Sequence, residues 1–350
     1  MAPSPYSGLP DYAFWRRAVA STEPSEFDPV VKSELRLSKT DAIATAGSCF
    51  AQHIARALRE SNFSFLCLEA SETDHETYTA FSAAYGNVYT PRQLVQLFDR
   101  AYGEFNPIDI AWTRGDGALV DPFRPTIRVQ GFADEAALLK ERCIHLRAVR
   151  RVFERCRCFI FTLGLTEAFV SAIDGAVFPI APGVVAQPND SSSFRFHNFS
   201  YTEVVDDLSR FVTSLRTVNP NVEIILTVSP VPLIATAEPR HVLVSTTASK
   251  AILRAATDTL ARNQGIHYFP SFEIINGQHA RGRYFADDLR DVTSEGVAHV
   301  MRIFRRHYLA DSSLAVEPER PEVSTAAAAQ YAVQHHAVAR VICDEELLDQ

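Results

Sequence analysis

Five short runs of almost unbroken apolar residues constrain the fold of this chain more than any other feature. They are residues 42–46, 63–68, 158–163, 222–228 and 266–269. Each is too short for a self-sufficient helix and lacks the alternation of a strand with one wet face. They therefore read as strands buried on both faces. Between them, apolar residues recur every three or four positions: Leu139, Cys143, Leu146, Val149 and Phe153; Val204, Leu208, Phe211 and Leu215; Val297, Val300, Phe304 and Tyr308. That is the period of amphipathic helices. Strands alternating with helices predict an α/β domain whose parallel sheet is covered by helices. One helix start is explicit. Thr90 can cap it, Pro91 suits its first position and Gln93 can reach back, so a helix is predicted over 91–102.

A chain of 350 residues fits one large α/β domain with insertions and a tail. The predicted organisation is an N-terminal extension (1–34), the α/β domain (35–310), and a linker with a C-terminal helix (311–350). Two connections, 103–131 and 171–200, are long and rich in Gly, Pro, Asp and Ser, the character of lids or binding walls. Residues 311–324 read as the linker. Residues 325–348 are Ala-rich and read as a last helix, docking on the body or on another subunit of a homo-oligomer.

With 47% apolar and 22% charged residues, the composition excludes a disordered or collagen-like chain. The net charge of −8 leaves no global basic field for nucleic acid or an anionic membrane. The basic clusters at 147–151 and 302–306 read as solvated helix faces. No apolar core of a secretory signal occurs in 1–38, and no stretch reaches the 18 apolar residues of a membrane span. The six cysteines lack a framework spacing, and Cys156-Arg157-Cys158 is too tight for a metal knuckle. Reduced thiols in a cytoplasmic protein are the expectation.

The first apolar run ends in Ala46-Gly47-Ser48-Cys49-Phe50-Ala51, and a helical stretch follows over 52–60. A small nucleophile between a strand and a helix lies where ligands bind in α/β sheets, outside the carboxyl ends of the strands. The positive end of the helix favours a thiolate or an oxyanion there. Read without further context, a cysteine at this place is more often a small buried apolar residue.

Gly47-Ser48-Cys49-Phe50-Ala51 resembles the signature of the GSCFA domain family, which is similar to a divergent branch of the SGNH/GDSL hydrolase superfamily. The resemblance continues through Tyr85-Gly86-Asn87-Val88-Tyr89-Thr90, Phe161-Thr162-Leu163-Gly164-Leu165-Thr166-Glu167, Thr227-Val228-Ser229-Pro230-Val231, Ser249-Lys250 and Tyr268-Phe269-Pro270-Ser271-Phe272-Glu273. It implies a three-layer, flavodoxin-like fold and an ester-cleaving or acyl-transferring site. The superfamily's first block is Gly-Asp-Ser, with Ser as nucleophile. That register puts Cys49 in the nucleophile place, and a shift of one residue puts Ser48 there. A related polysaccharide-modifying group has Gly-Asn-Cys, which favours Cys49. The second block implies Gly86 as an oxyanion donor, with Asn87 beside it, and the third puts Thr166 in an asparagine's place.

The last block of the superfamily is Asp-x-x-His, and here it reads Asp288-Leu289-Arg290-Asp291. The aspartate is present and the histidine base is not. A nucleophilic hydroxyl or thiol ordinarily needs a base within hydrogen-bond reach. Three replacements are open: a cysteine ionised by the helix end, Asp291 with its pKa raised by Asp288, or another histidine, with His241, His197 and His53 as candidates.

In the first long connection, Arg124 is a candidate for gripping a phosphate or carboxylate of a cofactor, or equally for a loop-fixing ion pair. Ser249-Lys250 opens a helical run, but sequence neighbours do not face each other on a helix. No Gly-x-Gly-x-x-Gly, Walker loop or metal-spaced His/Cys cluster occurs. The expectation is an esterase or acyltransferase acting on O-acyl, foremost O-acetyl, groups of a carbohydrate or polysaccharide through an acyl-enzyme. It would require no cofactor, with acetyl-CoA as donor in the transferase case. The alternative is a non-catalytic, glycan-binding domain that has lost its base.

Overall fold

The computed structural model of the chain describes residues 4–69, 78–190, 193–310 and 347. In chain order the strands are β1 (Ile43–Gly47), β2 (Trp112–Thr113), β3 (Leu119–Val120), β4 (Cys158–Leu163), β5 (Glu167–Ser171), β6 (Val177–Phe178), β7 (Phe194–Asn198), β8 (Glu223–Val228) and β9 (Ile266–Tyr268). The α-helices are α1 (Ala51–Glu60), α2 (Pro91–Tyr102), α3 (Glu135–Arg155), α4 (Tyr201–Val218), α5 (Val242–Leu260), α6 (Ser271–Asn276) and α7 (Ser294–Tyr308).

Four of the five apolar runs form one sheet in the order β1-β4-β8-β9, with every neighbouring pair parallel. The fifth, 63–68, does not extend into a strand. It crosses the outer edge of β1 as a single parallel bridge, Ile43 to Phe65, held by Ile43 N–H to Ser64 O (2.9 Å) and Leu66 N–H to Ile43 O (2.8 Å). It then leaves the edge, because Leu68 N–H turns away to Ser82 O at 2.9 Å. Counting that edge, the order is the 2-1-3-4-5 of flavodoxin-like doubly wound folds, whose switch point lies between β1 and β4.

Alternation along the strands divides the core into two layers. Ala44, Ala46, Phe159, Phe161, Ile224 and Leu226 pack with Leu94 and Phe98 of α2, Phe153 of α3, Phe211 of α4 and Leu253 of α5. Ile43, Ile160 and Ile225 pack with Ile54 and Leu58 of α1, Ile274 and Ile275 of α6, and Val300 and Phe304 of α7. The result is a helix–sheet–helix sandwich. Helix α2 starts with the expected capping box, Thr90 with Gln93, and α4 starts with another, Ser200 with Glu203.

Both long connections carry structure of their own. The first holds the β2–β3 hairpin and the second supplies β6 and β7, which flank β5 in an antiparallel sheet. They share a small core of Trp112, Val120, Ala176, Phe178 and Ala186. The chain before β1 is strapped across α7. Tyr284 Oη donates to Pro24 O at 2.8 Å, His299 Nε2 bonds Phe27 O at 2.8 Å, and His307 meets Asp28 at 2.8 Å. The predicted linker and Ala-rich helix lie outside the described residues, Leu347 apart. Among the described residues no helix is long and apolar enough to cross a membrane.

Candidate functional site

At the switch point the chain has no room for a side chain. Gly47 ends β1 at φ +140°, and a Cβ there would lie 2.7 Å from Thr162 N and 2.8 Å from Thr162 Cβ on β4. Ser48 N–H continues the ladder to Thr162 O at 3.0 Å. A tight turn then feeds α1, with Ala51 N–H to Ser48 O at 2.8 Å and Gln52 N–H to Cys49 O at 3.1 Å. Ser48 and Cys49 thus sit, both buried, between the carboxyl end of β1 and the amino end of α1.

Three further blocks converge on them. Val88 N–H donates to Gly47 O at 2.8 Å, which lays the 85–90 segment alongside the end of β1. Gly164, just past β4, accepts no side chain either: a Cβ would lie 3.1 Å from Ser48 Cβ and 2.9 Å from Tyr89 Cδ1. Ser229 N–H bonds Leu163 O at 2.8 Å and brings in the end of β8. Between these blocks lies a cavity of about 10 Å³, walled by Ser48, Cys49, Tyr89, Gly164, Leu165, Ser229 and the 231–233 segment. Ser48 Oγ is buried at this place with no hydrogen-bond partner among the described residues. Buried hydroxyls are normally bonded, and the exceptions concentrate where a ligand or a reaction supplies the partner.

Helix α5 clamps the third block from behind. Lys250 Nζ donates to Gly164 O at 2.6 Å, and Thr166 N–H donates to Ser249 Oγ at 3.0 Å. The two neighbours therefore act on different backbone groups and form no dyad. Thr166 Oγ1 donates to Asn198 Oδ1 at 2.7 Å, which directs it to β7. Glu167 accepts from Thr236 Oγ1 at 2.8 Å, and burial pushes its carboxyl up despite that bond.

A groove of about 910 Å³ opens on the far side of Pro232, which walls both it and the small cavity. Pro230, Leu243, Phe272, Phe285 and Leu289 give it apolar walls, with Lys250, Arg254, Asp258 and Asn276 among them. Its volume is in the range of small-molecule sites.

The other sequence candidates fall elsewhere. Asp288 Oδ1 accepts the N–H groups of Arg290 and Asp291, each at 3.0 Å, in an exposed turn that holds Leu289 at φ +57° on the groove rim. Neither aspartate lines the Ser48–Cys49 cavity. His241 is the exposed N-cap of α5, where its Nδ1 accepts from Leu243 N–H at 3.1 Å. His197 on β7 pairs with Glu203 at 2.7 Å. His53, one turn beyond Cys49 on α1, packs edge-on against Phe50 at 5.4 Å, and desolvation with the nearby Arg56 charge pushes it down to about 4. In the second block Gly86 adopts φ +69°, and Asn87 lines a different cavity, so Tyr89 is the residue of that block facing Ser48 and Cys49. Tyr89 and Ser229 line the cavity although neither is singled out by the sequence as a site residue. Both lie inside blocks of the family resemblance, and Ser229 also stands at the carboxyl end of a buried strand.

Arg124 is a correction. It is not a loop cation open to phosphate: its side chain is 1% exposed and meets Asp121 at 3.3 Å, Glu69 at 3.3 Å and Glu141 at 3.5 Å. Nη1 also donates to Ala84 O at 3.2 Å. Its donors are used within the fold, as the ion-pair reading expected.

His53 and the buried His299 give a prediction about pH. Desolvation pushes both down to about 4, His53 with help from the Arg56 charge. The unfolded chain takes up a proton at each near pH 6.5, the folded protein only near 4. Stability is therefore present above 6.5 and falls as pH drops through that window, by at most ~1.4 kcal/mol per unit for each fully buried histidine. His53 is half-buried, so water reduces its share. Denaturant unfolding at pH 7, 5.5 and 4.5 should show a falling midpoint, and His299→Gln should flatten the curve.

The family model described as "GSCFA family" matches residues 42–304. Comparison with curated proteins gave no match. Among solved structures, the chain is similar to a crystal structure of a carbohydrate esterase family 2 enzyme plus carbohydrate binding domain from Corynascus thermopiles (Myceliophthora fergusii). The likeness has 13% identity and a TM-score of 0.24, and covers 69% of this chain and 58% of that one. The chain thus spans somewhat over half of that structure's length. Since the matched stretch takes in well over half of the sequence, including the Gly47–Ser48–Cys49 turn and every block that closes around it, the chain belongs to the GSCFA family.

Proposed function

We propose that this protein is an esterase or acyltransferase that removes or moves O-acyl groups, foremost O-acetyl, on a carbohydrate or polysaccharide through an acyl-enzyme at Cys49. The observation that carries the reading is the pairing of a buried, unbonded Ser48 Oγ with Cys49 in one cavity at the amino end of α1. Ser48 N–H is already given to Thr162 O, so an acyl group on Ser48 would lack its own amide as an oxyanion donor. That favours Cys49 as nucleophile, with Ser48 Oγ as a donor to the developing oxyanion. One such donor, aimed at the oxyanion and shielded from water, contributes about 3–4 kcal/mol to the transition state. The helix end favours negative charge on sulfur and on the tetrahedral intermediate. Sulfur bonds the acyl carbon as the carbon–oxygen bond to the sugar breaks, the proton given up by the thiol leaves with the sugar hydroxyl, and water or a second hydroxyl then cleaves the thioester and returns a proton to sulfur. The groove beyond Pro232 is the place for the sugar. A transferase drawing on acetyl-CoA would hold its phosphates with cations other than Arg124.

A second reading has its own support: Asp288 and Asp291 form a turn outside the cavity, so the usual base is missing from beside Cys49. In that reading the groove binds glycan without chemistry. Intact-protein mass after brief exposure to an activated acetyl ester separates the two. Wild type is expected to gain one acetyl group, Cys49→Ala none, and Ser48→Ala a slower gain. No adduct on any of the three, with glycan affinity kept in Cys49→Ala, would establish the binding domain instead.

A further inference from the structure

A second cavity lies behind the 85–90 segment, away from Cys49. It measures about 20 Å³ and is walled by Asn87, Gln93, Arg100, Phe123, Arg124 and His145, among others. Arg100, on α2, is 8% exposed, and its guanidinium lies over the Phe123 ring at 3.9 Å. Its Nη2 is fully buried and has no hydrogen-bond partner among the described residues. Asp121, whose charge reaches Arg100, is committed to Arg142 at 2.9 Å and Arg124 at 3.3 Å, and Glu69 to His145 at 2.7 Å and Arg124 at 3.3 Å. Desolvation pulls Arg100 down to about 9, opposed by the charge of Asp121. A buried cation without a bonded counter-charge is among the costliest arrangements a fold can hold.

The cavity wall carries two guanidinium groups and, among its described residues, no carboxylate. The Gln93 amide points the same way. Gln93 Oε1 is occupied by Tyr89 N–H at 3.0 Å and Thr90 N–H at 2.9 Å, which leaves the Nε2 donors for a ligand. Both ends of Gln96 are taken, by Gly175 O and Val177 N–H, each at 2.8 Å. We infer that this cavity is a built site for one small monovalent anion of the chloride class, bound by Arg100 Nη2 and closed in by Asn87 and Gln93. The volume admits a single atom-sized guest and excludes phosphate or sulfate. Because Gln93 also holds Tyr89 N–H, the anion would brace the segment whose other side faces Ser48 and Cys49.

The test is thermal unfolding of the full chain at constant ionic strength, with sodium gluconate replaced stepwise by chloride or bromide. Chloride and bromide are expected to raise the midpoint saturably by roughly 2–3 °C, and sulfate at matched ionic strength to add no saturable step. Arg100→Gln should remove the halide dependence. Should that variant fail to fold, wild-type crystals soaked in bromide decide the matter, by an anomalous peak in contact with Arg100 Nη2. A midpoint indifferent to halide, a dependence that survives Arg100→Gln, or a cavity holding only water would overturn the site.

Discussion

Gly47→Ala is expected to destabilise the protein by more than about 4 kcal/mol, enough to leave little folded chain in most backgrounds. Two effects combine. At φ +140° an L side chain is strained whatever the space around it. The new Cβ would also fall inside contact distance of Thr162 O and stand 2.7 Å from Thr162 N. Those are backbone atoms of β4, which is bonded to β1 on one side and β8 on the other, so they cannot retreat without opening the middle of the sheet. Gly86→Ala is the matched comparison. It also sits at positive φ, but its Cβ would meet only Arg124 Cβ at 4.0 Å, so the conformational term of about 1–2 kcal/mol stands alone. Urea unfolding followed by far-ultraviolet circular dichroism measures both. A Gly47→Ala protein within 1 kcal/mol of wild type, or one no worse than Gly86→Ala, would mean that β1 and β4 do not approach as closely as described.

The same geometry explains what the sequence makes legible. Strands buried on both faces are continuous apolar runs, and continuous runs are visible, so β1, β4, β8 and β9 can be read within a residue or so of their ends. The 63–68 run looks identical to them, yet forms only one bridge, because Leu68 pairs with Ser82 rather than with β1. No local pattern announces that choice of partner. Two-residue strands such as β2, β3 and β6 are too short to show any period, so the connections that contain them read as bare loops. At the site, a glycine and small residues between a strand and a helix point to Ser48 and Cys49 from spacing alone. The walls contributed by Tyr89 and Ser229 do not show, since they come from elements 41 and 181 positions beyond Ser48 that only the sheet order brings together. Asp288 illustrates the opposite difficulty. An aspartate that folds a turn and one that orients a base are the same letter, and here its oxygen is bonded to the backbone of its own turn.

Arg124 carries the other large expected effect, and it arises from a network that spans the fold. Its guanidinium joins Asp121 in its own loop, Glu69 after the edge segment, and Glu141 on α3. Asp121 is 0% and Glu69 5% exposed, so neither can turn to water when the cation is removed. Burial alone would raise the Glu69 carboxyl, but His145, Arg124 and the Ala84 N–H outweigh it and bring the group to about 2. Burial, with the nearby Arg124 charge, pushes His145 down, and its Nδ1 lies 2.7 Å from Glu69 Oε2. Arg124→Met keeps most of the volume and leaves Glu69 with His145 and one amide, while Asp121 retains Arg142. Removing one member of a buried charge network in this way costs about 3–5 kcal/mol. Arg124→Lys should recover part of that, because one ammonium can neutralise the site but cannot reach three carboxylates as the planar fork does. A lower folded-state pKa stabilises above the unfolded value and is lost as pH falls, so the Glu69 contribution is present above about 4.5 and disappears towards about 2. With Arg124 gone that carboxyl titrates higher, and acid unfolding should begin at a higher pH in Arg124→Met than in wild type. Urea midpoints at pH 7 and acid titrations of the two variants measure both effects. Equal stability of Arg124→Met and wild type would mean that the carboxylates find water or other cations, and that the cluster is less closed than its burial implies.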